Sequence, residues 1–171
     1  MKKYKLCEIS TISSSKRIFA NEYVKEGIPF YRGKEITQLF NHQNITELLY
    51  IPGELYYTLK NKYGVPNKND ILLTAVGTIG SVYLVKDEKF YFKDGNLIWL
   101  KNINNKIIDP KFLFYYFISN KTQQYLQTKA IGSSQPALTI ESLKSCEILI
   151  PEIDEQQHIV NSINCEVKYV C

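Results

Sequence analysis

The chain has 171 residues, 44% of them hydrophobic and 13% aromatic, with a formal net charge of +4. That is enough apolar material for one domain with a proper core and excludes a disordered chain. The mild positive charge permits a polyanionic partner without demanding one. No apolar run reaches the roughly 20 residues that span a bilayer. Nor does an apolar signal core follow Met1-Lys2-Lys3, so the expected setting is cytoplasmic, with no membrane partner. Cys7, Cys146, Cys165 and Cys171 form no C-x-x-C pair, and His42 and His158 lie far apart, so free thiols and no metal site are expected.

Tyr4–Ile9 is a short ordered entry. Ser10–Arg17 reads as a loop in which Ser14, Ser15, Lys16 and Arg17 set small donors beside two cations, a composition suited to phosphate. A plain solvated loop is the alternative. Ile28–Tyr31 is a strand with proline at its edge. It leads into Arg32-Gly33-Lys34, where an arginine fork suits guanine or phosphate. The alternative there is a strand-end turn with an ordinary Arg32–Glu35 salt bridge.

A strand is expected around Leu48–Ile51 and a helix over Glu54–Lys62, capped by Gly64. Asp70–Val85 then gives two Val/Ile/Leu-rich strands, Ile71–Val76 and Ser81–Val85, joined by Gly77-Thr78-Ile79-Gly80. This turn runs from strand to strand. A phosphate cradle normally runs from strand to helix, so Thr78 is a candidate only for backbone approach. Phe90–Phe92 and Leu97–Leu100 read as a further hairpin around Lys93-Asp94-Gly95-Asn96. Four antiparallel strands at hairpin spacing follow, with Trp99 in the core.

Asp109-Pro110 opens a helix with an N-cap and a proline at its first position. A second helix covers Lys121–Lys129. The loop 130–136 carries Ser133, Ser134 and Gln135, and a glutamine amide pairs well with adenine. A short helix opened by Thr139 and a strand Glu147–Ile150 follow. From Asp154 the chain is helix-permissive. Ile153, Val160 and Val167 recur seven apart, as do Gln156, Ile163 and Val170, which together make a short a/d seam. A helix of that length needs a partner surface; the seam favours another helix over the body of its own domain.

Catalytic readings fail on the residues. Asp109-Pro110-Lys111-Phe112 resembles an amino-methyltransferase motif only superficially, since its second proline is lysine and no glycine-rich cofactor loop precedes it. Asp70 with Asp87-Glu88-Lys89 has nuclease residue types, but the lysine lies in a turn and no proline precedes Asp70. No G-x-S-x-G is present. The residues support a binding module over an enzyme.

The blocks GIPFYRGKEI, NDILLTAVGTIGSVYLV, FYFKDGNLIWL and GSSQPALTIESLKSCEILIPEIDEQQHIV, in that order, resemble a target recognition domain of the DNA-specificity subunits of Type I restriction–modification systems. The last block, a Gln-Pro-Ala-Leu loop, a short helix, an ILIP strand and P-x-I-x-E-Q-Q-x-I-V, matches the family's junction between recognition domain and spacer helix. The resemblance implies an α/β recognition domain with a mixed, largely antiparallel sheet over residues 1–151, and a C-terminal spacer or dimerisation helix over 152–171. It implies double-stranded DNA as ligand and methyltransferase (modification) subunits as partners, with restriction subunits in the same complex. S-adenosylmethionine, ATP and Mg would belong to those subunits, with no cofactor on this chain. A full subunit has two recognition domains, so the chain is expected to be a half-subunit or a truncated form. A homodimer through the helix would read a palindromic bipartite site. The rival readings are a non-DNA-binding assembly or decoy protein docking through its helix, and a recognition domain serving another class of restriction or methylation enzyme.

Overall fold

The computed structural model describes residues 1–132 and 134–168, with side chains described to residue 165. Among the described residues nine strands form three sheets. The central one has four antiparallel strands in the order β2-β8-β5-β6: β2 Thr11–Ser13, β5 Ile71–Thr74, β6 Val82–Leu84 and β8 Leu97–Lys101. A second sheet joins β3 Ile28–Tyr31 between β4 Leu49–Ile51 and β7 Tyr91–Phe92. The third pairs β1 Lys2–Lys5 with β9 Glu147–Ile150.

The β5–β6 hairpin forms as its composition predicts, in the register Ile71↔Leu84 and Leu73↔Val82. The second expected hairpin does not. β7 and β8 flank the Lys93–Asn96 turn yet join different sheets. β7 runs parallel to β3, with Phe30 opposite Tyr91, while β8 lies between β2 and β5. Tyr91 and Phe92 are both buried. Two such residues suit the crowded gap beside Phe30 better than a solvated hairpin, so tertiary burial overrides the local turn signal.

Both faces of the central sheet are buried. Ile71, Leu73, Val82, Ile98 and Leu100 point to one side, towards Phe112, Leu113 and Phe117 of α4 (Pro110–Ile118) and Leu126 of α5 (Asn120–Lys129). Leu72, Leu97 and Trp99 point to the other, where Ile36 of α2 (Gly33–Phe40) covers them. The alternation within each strand therefore hides behind an all-apolar run. α2 is a helix where the sequence suggested a break: Arg32 stands at its N-cap, and the Glu35 carboxylate reaches back to the Arg32 N–H at 2.6 Å.

The remaining helices follow their local signals. α1 is Leu6–Ile9 and α3 is Gly53–Tyr63, ended by Gly64 at φ 81°. Asp109 caps α4 by accepting from the Lys111 and Phe112 N–H groups, Ser119 caps α5, and Thr139 with Ser142 caps α6 (Ile140–Lys144).

The C-terminal helix α7, Ile153–Lys168, departs from the expected intermolecular seam. Gln156 is completely buried, and Val160 is 5% exposed. The Gln156 amide accepts from the Asp109 N–H at 2.8 Å and donates to the carbonyls of Ile107 and Pro151, both at 2.9 Å. Tyr115 of α4 donates its hydroxyl to Asn164 at 2.6 Å. The polar d position is thus a fixed link to the helix's own domain, and Val160 packs into that domain's core. Ile153 and Ile163 are half-buried. The side chain of Val167, and Val170 altogether, lie outside the described residues.

Candidate nucleic-acid interface

Strand register gathers the candidate loops. Ser13 pairs with Trp99, Leu97 with Thr74 and Leu73 with Val82. The C-terminal ends of β2 and β5 therefore lie beside the N-terminal ends of β6 and β8. Parallel β3 and β7 finish at the same end, where the Lys93 N–H donates to the Tyr31 carbonyl at 2.8 Å. Segments 14–17, 31–34, 75–81 and 93–96 all leave the sheets there. The loop 131–137 joins them through a bridge between Val76 and Ala137. Ala75 is the common node: its N–H donates to Asn96 and its carbonyl accepts from Leu138, both at 2.8 Å. Residues that are remote in sequence thus form one end face.

Within that face the candidates divide into exposed tips and structural supports. Lys16, Arg17, Lys34, Thr78, Ser134 and Gln135 are exposed. Ser133 lies outside the described residues. Arg17 donates from Nε to Asp94 at 2.9 Å, and Lys34 pairs with Glu47 at 2.9 Å. Both are surface pairs of small net worth, readily exchanged for a phosphate. The Lys16 ammonium stands 5.9 Å from the Tyr63 ring centroid. Among the described residues neither Lys16 nor Lys93 takes part in an ion pair.

Four candidates serve the scaffold instead. Ser14 donates its hydroxyl to the Leu97 carbonyl at 3.0 Å and Ser15 to that of Phe92 at 2.7 Å. These bonds pin the 14–17 segment to the 93–96 turn. Tyr31 is 9% exposed and stacks on Phe90 at 4.5 Å between centroids. Burial pushes its phenol pKa up, with the Glu88 and Glu35 carboxylates adding to the rise. Arg32 closes its fork on Glu35, with Nη2 at 2.6 Å from Oε1 and Nε at 3.1 and 3.2 Å from the two oxygens. That hydrogen bond, the largest influence, holds the guanidinium above its ordinary pKa. A fork so occupied is unavailable for two-point base recognition, and the Arg32–Glu35 bridge left open by the sequence is the arrangement found.

The Gly77–Gly80 turn is held from beneath by α5. Gln123 donates to the Gly80 carbonyl at 2.9 Å and Gln127 to that of Ile79 at 3.1 Å. Gly80 has φ 96°, and a Cβ there would lie 2.5 Å from Gln123 Oε1. An added Cβ would displace the flexible Gln123 amide, and the positive φ is the conformation that favours glycine. The turn is a braced tip that presents Thr78 outward.

The residue that sequence reasoning passed over is Lys93, with its neighbour Asp94. Their turn composition signalled only geometry. Its position opposite Arg17 follows from the separation of β7 and β8. Among the described residues no group of three or more His, Cys, Asp or Glu side chains is placed to hold a metal ion. Nor is any described helix long and apolar enough to cross a membrane.

Residues 1–164 match the family model described as Type I restriction modification DNA specificity domain. The chain is 31% identical over 164 residues to a Haemophilus influenzae protein carrying the provisional name type I restriction enzyme specificity subunit S.HindORF215P, covering 93% of this chain and 38% of that protein. It is 28% identical over 140 residues to the Escherichia coli type I restriction enzyme EcoBI specificity subunit, covering 82% of this chain and 28% of that one. The chain therefore spans well under half the length of these relatives. In fold it is similar to the type I restriction–modification S subunit of M. genitalium, with a TM-score of 0.66 at 18% identity over 96% of this chain and 38% of the other. The HsdS subunit of Thermoanaerobacter tengcongensis gives 0.67 at 19% identity over 99% of this chain and 38% of the other.

Proposed function

Since this chain belongs to the type I restriction–modification DNA specificity domain family, we propose that it reads one half of a bipartite duplex site through the end face formed by segments 14–17, 31–34, 75–81, 93–96 and 131–137. The observation that carries this reading is the convergence of those five segments, with Lys16, Arg17, Lys34 and Lys93 around the polar tips Thr78, Ser134 and Gln135. Lysines and Arg17 neutralise phosphates and set the register, while Gln135 and Ser134 reach base edges. Arg32 acts as a positioning residue by fixing the start of α2 beside Thr74.

The chain performs no chemistry in this reading. It directs methyltransferase and restriction subunits in the cytoplasm, and S-adenosylmethionine, ATP and Mg work on those subunits. The outward face of α7, with Asp154, Glu155, Gln157, His158 and Asn161 exposed, is polar. It suits docking of a modification subunit better than self-pairing through an apolar seam, because Gln156 and Val160 already serve the chain's own domain. The other half-site is read by a second recognition domain.

The test is selection of bound sites from a randomised duplex pool at graded salt. The reading expects one short enriched motif, and affinity that falls steeply as salt releases less counterion entropy. Absence of binding at low salt would instead favour an assembly or decoy protein.

A further inference from the structure

A further feature of the central sheet is the outer edge of β6. In the β5–β6 ladder the Thr74 N–H donates to the Ser81 carbonyl and the Val85 N–H to that of Asp70, both at 2.9 Å. By the alternation of an antiparallel pair, Tyr83 also faces β5, whereas the backbone N–H and C=O groups of Val82 and Leu84 point away from it. β6 is the last strand of its sheet. Val82 is only 1% exposed, so the accessible part of this edge is at Leu84, whose outward N–H and C=O meet no other group among the described residues. They line a groove of about 630 Å³. α2 covers one face of the sheet and α4 the other, so the groove is a slot between two helices. Leu39 and Phe40 form one wall, and Phe114, Tyr115 and Ile118 the other.

The charge at the mouth is one-sided. Lys68, Lys86 and Lys111 border the Leu84 end, together with a single carboxylate, Asp87, which already pairs with Lys68 at 2.7 Å. We propose that this slot takes an extended peptide segment of a partner protein, added to β6 as a fifth strand, with apolar side chains between the two helices and acidic residues at the Lys86–Lys111 end. Two features select this occupant. An unpaired strand edge offers main-chain hydrogen bonds in a fixed register, which suits an extended chain. The walls on both faces admit one strand and exclude sheet-to-sheet stacking of a second copy. The lysines favour acidic flanks over neutral or basic ones.

The probe is a short peptide of alternating valine and threonine ending in a run of glutamates, made with the run at either terminus, and a control ending in lysines. Binding to the full chain is read by fluorescence anisotropy, and amide exchange by mass spectrometry and NMR. One glutamate peptide is expected to bind and to slow exchange at the Leu84 amide, with the lysine peptide about tenfold weaker or silent. Leu84→Pro removes the outward N–H, which an edge strand tolerates, together with a side chain packed against the core; it should weaken peptide binding about tenfold, whereas Leu84→Ala, which loses the side chain and keeps the N–H, should bind nearly as well as the parent. Lys86→Glu with Lys111→Glu should reverse the preference between the two peptides. The proposal is overturned if the Leu84 amide is already as protected in the free chain as those of β5. It is equally overturned if neither glutamate peptide binds, if Leu84→Pro binds as well as the parent, or if only a small apolar anion such as anilinonaphthalene sulfonate enters the groove.

Discussion

Glu35 is completely buried, and its carboxylate is closed on the Arg32 fork and on the Arg32 backbone N–H. The same side chain starts α2 and removes Arg32 from the set of free cations. Losing one partner of a buried pair leaves the other uncompensated. With Arg32 30% exposed, Glu35→Ala should cost less than a fully enclosed pair would, roughly 2–3 kcal/mol. Urea unfolding checks this. Arg32→Ala should show a similar loss of stability while shifting the salt slope of DNA binding by less than one phosphate contact.

Gln156 makes an equally specific demand. Its three hydrogen bonds tie α7 to the Ile107–Asp109 segment and to Pro151. Gln156→Ala leaves a buried donor and two carbonyls unpaired and should cost roughly 2–4 kcal/mol. Gln156→Met keeps most of the volume, so it separates packing from hydrogen bonding and should recover only part of the loss. Thermal unfolding, together with amide exchange along α7, reads both.

Asp70 gives a pH dependence. Burial raises its pKa, opposed by hydrogen bonds from the Asn67 N–H and the Trp99 indole N–H, each at 2.9 Å. A carboxyl with a raised folded pKa binds its proton more tightly in the native state. Its contribution to stability therefore falls as pH rises from the ordinary carboxylate value through the raised one, and is flat beyond. Asp70→Asn keeps an acceptor for both donors and should flatten that part of the pH–stability curve. Asp70→Ala strands both N–H groups and should cost roughly 1–3 kcal/mol for each.

Local signals carried much of the fold. The Asp109-Pro110 and Thr139–Ser142 caps, the Gly64 stop and the Ile71–Leu84 hairpin are set by neighbouring residues, and each stands where composition put it. What depended on distant partners was hidden. Nothing near Tyr91 announces that it pairs with Phe30, and the heptad spacing of Gln156 and Val160 is the same whether the other surface is a second helix or α4. The candidate site divided along the same line. Exposed Lys16, Arg17, Thr78 and Gln135 were legible as polar tips. The commitment of Ser14, Ser15 and Tyr31 to internal partners, and the place of Lys93 beside them, came only from strand order.

The Arg17–Asp94 pair offers a graded test of the end face. Arg17 is 63% exposed, so the bridge itself adds little stability. Asp94→Asn frees the guanidinium and removes a negative charge that would face phosphate. It should leave unfolding unchanged and tighten non-specific duplex binding at low salt, whereas Arg17→Ala should weaken it and lower the salt slope by about one.

Two charge-reversal triples measured in the same salt titration against duplex DNA test the assignment most directly. One is Lys16→Glu, Arg17→Glu and Lys93→Glu on the end face; the other is Lys68→Glu, Lys86→Glu and Lys111→Glu at the mouth of the β6 slot. Both change net charge equally. The end-face triple is expected to abolish binding and its salt dependence, while the slot triple keeps the sequence preference and most of the affinity. Loss of binding in the slot triple with retention in the end-face triple would contradict the placement of the DNA surface.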